Sequence, residues 1–312
     1  MKRLAAITDR AKESLIDKVK MRCEYFVRTQ IWPVSKKLDY NGWLCNFDSL
    51  NERFVAAKIL YSFLYYSDLM VDSMLESVVG NAVCAIAKDC YTEDEMFYKS
   101  DIYYSAIPGE DGSPTGSGYN FLTKLRDVLE IPSERLVPPE KLPDVLMEEG
   151  GKRELNILFC DDFIGSGTQC IEALSTHTVK KLGASLYDYA QQNGHCLYVA
   201  ATIANKLGLG NIHNSLPRLG LFAGSVLGAE YNLFNSSCIC WDNDAELCSY
   251  ATELILGRSS ELGIPDDKLR KSARGYYNQG LFLSFAHGIP DAVPAIFYTD
   301  EKNWTPLRGR KI

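Results

Sequence analysis

Apolar positions recur along this chain with two different periods, and the change from one to the other divides it. Through the first hundred residues the period is helical. Ser49 and Glu52 form an S-x-x-E capping box ahead of Phe54, Val55, Ile59, Leu60, Phe63 and Leu64, whose three-and-four spacing puts an apolar stripe on one helix face. A second helix is predicted from Ser67 or Asp68 through Leu69, Met74, Leu75, Val78 and Val79 up to Gly80. The aromatic side chains of Tyr61, Phe63, Tyr65 and Tyr66 are read as core.

From about residue 100, short β-branched or aromatic runs alternate with turn signals and helical stretches. Ile102 to Ile107 reads as a strand, Pro108 to Gly118 as a Gly, Ser and Pro-rich loop, and Tyr119 to Leu129 as a helix with Leu122, Leu125 and Val128 on one face. Leu155 to Cys160, His195 to Ile203 and Leu281 to Ala286 are apolar runs of strand length, and Ser237 to Trp241 adds a short one. Pro132 to Gly151, with four prolines and many charges, interrupts the alternation as a loop or small hood. Strands separated by helices predict βαβ units, hence an α/β fold with a mainly parallel sheet covered on both faces. The expected organisation is a helical N-terminal region over 1–100 and an α/β domain with a C-terminal tail over 101–312.

Composition narrows the class. With 312 residues, 46% of them hydrophobic and 23% charged, the chain can bury a substantial core. A net charge of −7 disfavours unaided wrapping of a polyanion. Ten cysteines lie scattered without a CxxC pair, which removes support for zinc-ribbon or thioredoxin chemistry. Asp9, Arg10, Lys12 and Glu13 stand where an export signal needs its apolar stretch, so the cytoplasm is the expected compartment. The run Phe54 to Leu75 is interrupted by Lys58, Asp68 and Asp72, too polar for a bilayer span, and no membrane partner is expected.

Chemistry concentrates in Asn156 to Thr168. A buried strand is expected to end in two adjacent carboxylates, Asp161 and Asp162, then turn through Gly165, Ser166 and Gly167 into a helix carrying Ile171, Leu174, Val179 and Leu182. Ligands of open parallel sheets bind outside the carboxyl ends of strands. Adjacent acids there cost repulsion and desolvation unless cations or hydroxyl donors satisfy them. The glycines permit close backbone approach, so loop amides with the Ser166 and Thr168 hydroxyls suit a phosphate. Acids for vicinal hydroxyls beside a phosphate nest describe a ribose 5-phosphate site.

This segment resembles the phosphoribosyl pyrophosphate (PRPP) signature of type I phosphoribosyltransferases: four apolar strand residues, two acids, two mostly apolar residues, then a small-residue loop with glycine and threonine. The resemblance implies an α/β sheet of phosphoribosyltransferase type. It assigns ribose hydroxyls to Asp161 and Asp162, which would favour the cationic transition state electrostatically, and the 5-phosphate to Gly165, Ser166, Gly167 and Thr168. It places pyrophosphate at Thr115, Gly116 and Ser117. It also implies Mg2+ carried by the substrate, with no residue assigned as a metal ligand.

A second resemblance spans more of the chain. Asn46-Phe47, Tyr65-Tyr66-Ser67, the Ser113 to Gly118 loop, Phe159 to Thr168, His287-Gly288-Ile289-Pro290 and Trp304-Thr305-Pro306-Leu307 resemble the phosphoribosyltransferase-like effectors of bacterial conflict systems. Some accompany retrons, beside a reverse transcriptase with its RNA/DNA hybrid and a winged-helix protein. Such an effector is expected to bind PRPP or a related nucleotide and act in N-glycosidic transfer or cleavage. The alternatives are an inactive ribose-phosphate sensor or assembly module, and a receiver-like phosphoacceptor. The last predicts a lysine near a later strand end, and none stands at the ends of the 195–203 or 281–286 strands. His287 is read either as an acceptor contact or as a turn histidine, Trp304 as an anchor of the tail, and Arg308, Arg310 and Lys311 as a solvated basic run.

Overall fold

The computed structural model describes residues 4, 6–90, 92, 94, 96–108 and 117–310. In chain order it contains α1 (Asp9–Arg28), α2 (Tyr40–Cys45), α3 (Leu50–Ser62), β1 (Leu64–Tyr66), α4 (Asp68–Asp89), α5 (Phe97–Ser100), β2 (Ile102–Ala106) and α6 (Ser117–Asp127). There follow α7 (Leu142–Glu148), β3 (Asn156–Ile164), α8 (Thr168–Ile171), α9 (Leu186–Gln192), β4 (Cys196–Asn205), α10 (Lys206–Ser215), β5 (Gly220–Leu227), α11 (Ala245–Glu261) and β6 (Leu283–Phe285). The fold is α/β with parallel sheets, as the alternation predicts.

The chain forms two compact units, Leu69–Leu227 and the combined segments Met1–Asp68 and Gly228–Ile312. The division does not follow the expected boundary at residue 100. It follows instead from β1, which pairs in parallel with β6, Leu64 opposite Leu283 and Tyr66 opposite Phe285.

In the unit Leu69–Leu227, four parallel strands lie in the order β2-β3-β4-β5. The central strand β3 is buried along nearly its whole length, as a strand covered on both faces should be. Ile157, Phe159, Val199 and Ala201 pack with Leu146, Leu174, Leu186 and Ile212. Several expectations are corrected here. β3 does not end at the acids but continues through them to Ile164. β5, Gly-Leu-Phe-Ala-Gly-Ser-Val-Leu, is an unanticipated strand. The Pro132 to Gly151 segment is no loose hood: it forms 3-10 turns and α7, and buries Leu142, Pro143 and Leu146. α4 continues past Gly80, where a side chain would meet only open space, to Asp89. By length and composition α4 resembles a membrane-crossing helix, yet it buries Val71, Leu75, Val78, Val79, Ala82 and Ile86 in the protein. Its Asp72 forms an ion pair with Lys124 of α6.

In the other unit the Ser49–Glu52 capping box forms on α3 as predicted. Trp43 and Phe297 stack at 5.1 Å, Phe47 meets Trp304 edge-on at 5.5 Å, and both indole N–H groups donate to the Ile296 carbonyl. Trp304 is therefore the tail anchor it was read as. Leu281 to Ala286 supplies β6 to the small sheet, not a strand to the main one, and Ser237 to Trp241 lies in turns. Arg308 is not solvated: it is buried and donates to the Lys37 and Ala286 carbonyls. Arg310 pairs with Asp291, and Lys311 lies outside the described residues.

His195, only 3% exposed before β4, accepts a hydrogen bond at Nδ1 from the Leu155 N–H at 3.3 Å. Burial pushes its pKa below the ordinary histidine value. As pH falls through about 6.5 the unfolded chain takes up a proton that the native state refuses. This residue should therefore cost stability below that pH, levelling once the folded value is passed. Urea midpoints measured between pH 5 and 7.5 should show the acid slope reduced in His195→Gln, which keeps an acceptor.

Candidate functional site

Residues Asn156 to Cys160 form an apolar strand that carries the chain into the middle of the sheet, and the two acids follow without leaving it. Asp161 is 8% exposed and Asp162 9% exposed. Successive residues of a regular strand point to opposite faces. Here, however, the two carboxyl groups hydrogen-bond to each other, and Asp161 Oδ1 also accepts from the Asp162 N–H at 2.9 Å. Burial first, and the neighbouring Asp162 charge second, hold Asp161 well above the usual carboxylate range. Such a pair retains a proton and presents oxygens to hydroxyl donors or to a cation.

Two residues further on, the strand gives way to Gly165, Ser166 and Gly167. Gly167 has φ +80°, the left-handed region that glycine enters without strain, and it caps α8. A Cβ there would lie 2.8 Å from the Gly208 carbonyl oxygen and from Ile212 Cγ1 of α10. Gly208 has the reciprocal role, since any Cβ on it would collide with the Gly165 carbonyl. α10 therefore lies directly on the loop, and Asn211 donates from Nδ2 to the Ser166 carbonyl at 2.9 Å. The Ser166 and Thr168 hydroxyls meet at 2.9 Å, and the Thr168 N–H donates to Ser166 Oγ at 3.3 Å. One short segment thus joins a buried acid pair to a clamped loop of small residues.

The PRTase-CE family profile matches residues 40–310. The chain belongs to this family. No curated protein and no solved structure matches it. PRTase-CE membership makes the matched region phosphoribosyltransferase-like. β4 runs to Asn205, so Lys206 does stand at a strand's carboxyl end, contrary to the reading of a strand ending at residue 203.

Asp161, Asp162, Gly165, Ser166, Gly167 and Thr168 come together as one continuous strand, loop and helix start. Thr115 and Gly116 lie outside the described residues, and Ser117 opens α6. The preceding strand β2 runs beside β3 with Ala106 opposite Cys160, and Gln169 Nε2 donates to the Pro108 carbonyl at 3.5 Å. Pro108 therefore lies next to α8. His287, in the other unit, is exposed and stacks on Phe285 at 5.1 Å. Sequence reasoning missed Thr202, Gly208 and Asn211. None carried a clear local signal: Gly208 and Gly210 look alike in the sequence, yet only Gly208 meets a neighbouring backbone.

Two adjacent carboxylates form a donor set that would fit a metal such as Mg2+, which keeps its waters and takes substrate oxygens plus one or two carboxylates. Among the described residues no group of three His, Cys, Asp or Glu side chains is arranged to hold a metal.

Asp161→Asn should stabilise the protein at neutral pH. The folded carboxyl keeps its proton above pH 3.8, where the unfolded one ionises, so stability is lost as pH rises and stays lost above the folded value. Asparagine, which can still accept at Oδ1, escapes that loss. Calorimetry should give a melting point higher by roughly several degrees at pH 7.5, with the gain fading towards pH 4. For the loop clamp, Gly208→Ala should destabilise by about 1–3 kcal/mol in urea titrations, whereas Gly210→Ala on the same helix, facing open space, should stabilise by up to ~1 kcal/mol.

Proposed function

We propose that this chain binds PRPP or a related nucleotide carrying a ribose 5-phosphate, and that it acts on the N-glycosidic position by transfer or cleavage. The observation that carries the reading is the buried acid pair, its carboxyls turned to each other, separated by only Phe163 and Ile164 from the glycine loop. A pair held protonated and dehydrated costs stability, and vicinal sugar hydroxyls are donors that would satisfy its oxygens. Asp161 and Asp162 orient the ribose and favour positive charge developing on the ring, without taking a proton from the nucleophile. Ser166 and Thr168, with the loop amides, hold the 5-phosphate. Thr115, Gly116 and Ser117 hold the pyrophosphate. Mg2+ carried in on substrate oxygens, with no residue of the chain assigned as its ligand, would supply positive charge at the pyrophosphate leaving group. A nitrogen nucleophile or water then takes the anomeric carbon from the opposite face, forming the new C–N or C–O bond as the bond to the leaving group breaks.

The biological setting follows from the resemblance to conflict-system effectors, and the family match bears on its phosphoribosyltransferase-like part alone. The chain serves as the effector of a bacterial anti-phage system of retron type, in the cytoplasm. It works beside a reverse transcriptase with its RNA/DNA hybrid and a winged-helix protein, and is toxic when released.

Radiolabelled PRPP and nucleotides, incubated with the wild-type protein and with Asp161→Ala and Asp162→Ala, test the reading. Turnover and binding by wild type, with both lost in the variants, is the expected result. Binding without turnover selects the sensor, and no binding of any sugar phosphate overturns the assignment.

A further inference from the structure

Thr202 of β4 is fully buried beside Asp162, and its hydroxyl donates to the Asp162 carbonyl at 2.6 Å. The strand pairing is interrupted at this row. β3 and β4 pair residue by residue from Asn156 opposite Cys196 to Asp161 opposite Ala201, omit Asp162 and Thr202, and resume at Phe163 opposite Ile203. On the far side of β4 the pairing passes from Ala201 opposite Ala223 to Ile203 opposite Ser225, omitting Thr202 and Gly224. Gly224 makes room for this, since a Cβ there would sit 2.7 Å from the Thr202 carbonyl oxygen.

The consequence falls on the acids. Asp162 is held by side chains at both of its backbone polar groups, Asp161 Oδ1 accepting from its N–H and Thr202 Oγ1 donating to its carbonyl. A strand paired regularly through this row would send Asp161 and Asp162 to opposite faces. Threonine, stiff at χ1, is suited to hold the departure from that geometry.

We propose that Thr202 is a positioning residue for the acid pair: its hydroxyl fixes the carbonyl of Asp162 and so aims both carboxyl groups at the sugar hydroxyls. This inference rests on the ribose-phosphate reading of the site. Thr202 touches no substrate, and it acts on the sugar and not on the phosphate loop.

The test compares wild type with Thr202→Val, which keeps the shape and loses the hydroxyl, and with Thr202→Ser, which keeps the hydroxyl. Calorimetry uses ribose 5-phosphate and inorganic phosphate as probes. Thr202→Val should weaken ribose 5-phosphate about tenfold with inorganic phosphate unchanged, and Thr202→Ser should stay within about twofold of wild type. A ligand-free readout accompanies it: the pH dependence of melting that the acid pair contributes should change in Thr202→Val and return in Thr202→Ser. If wild type binds no ribose 5-phosphate but that dependence moves as stated, the sugar-phosphate reading falls and the positioning role stands. Unchanged pH dependence, or equal losses for both probes, overturns the positioning role.

Discussion

Two carboxyl groups buried against each other in the middle of a parallel sheet are the constraint to which the rest of this structure answers. Neither a regular strand nor an apolar core accommodates them, because the strand would separate them and the core would penalise their charge. The sheet yields locally: pairing lapses at Asp162, Thr202 and Gly224 and resumes in register one residue later. The departure is confined because continuous apolar packing surrounds it, with Phe159, Val199, Ala201 and Ile164 on either side.

The loop that follows is governed by contact between backbones. Gly167 and Gly208 face each other's segments with no side chain between, so α10 can lie on the 165–167 turn, where Asn211 reaches the Ser166 carbonyl. A loop fixed in this way meets a ligand without first paying for its own ordering. The acids and the loop are close in sequence, but what shapes both of them comes from the strand and helix that follow, β4 and α10.

Much of this was legible locally. The Ser49–Glu52 box, the apolar run before the acids and the alternation of strands with helices are properties of short windows, and each formed as its pattern predicts. The acid and glycine segment was legible for the same reason. β5 was not: Gly220, Ala223, Gly224 and Ser225 carry too little side chain to mark a strand, and only the neighbouring β4 makes them one. Leu281 to Ala286 read correctly as extended, but no local pattern says which strand it will join. Thr202 and Asn211 lie 40 and 45 residues from the groups they hold, and a threonine in an apolar strand looks like any other.

The pairing of Leu64–Tyr66 with Leu283–Phe285 imposes an order of assembly. On the ribosome the first strand of that small sheet emerges well before its mate, and the whole of Leu69–Leu227 is synthesised in between. The inner unit can collapse on its own contacts while the outer one waits, its early helices and aromatic side chains unsatisfied until the last segment arrives. Closing so large a loop is slow. A growing chain is thus exposed to chaperones and proteases through its beginning, long after its centre has become compact.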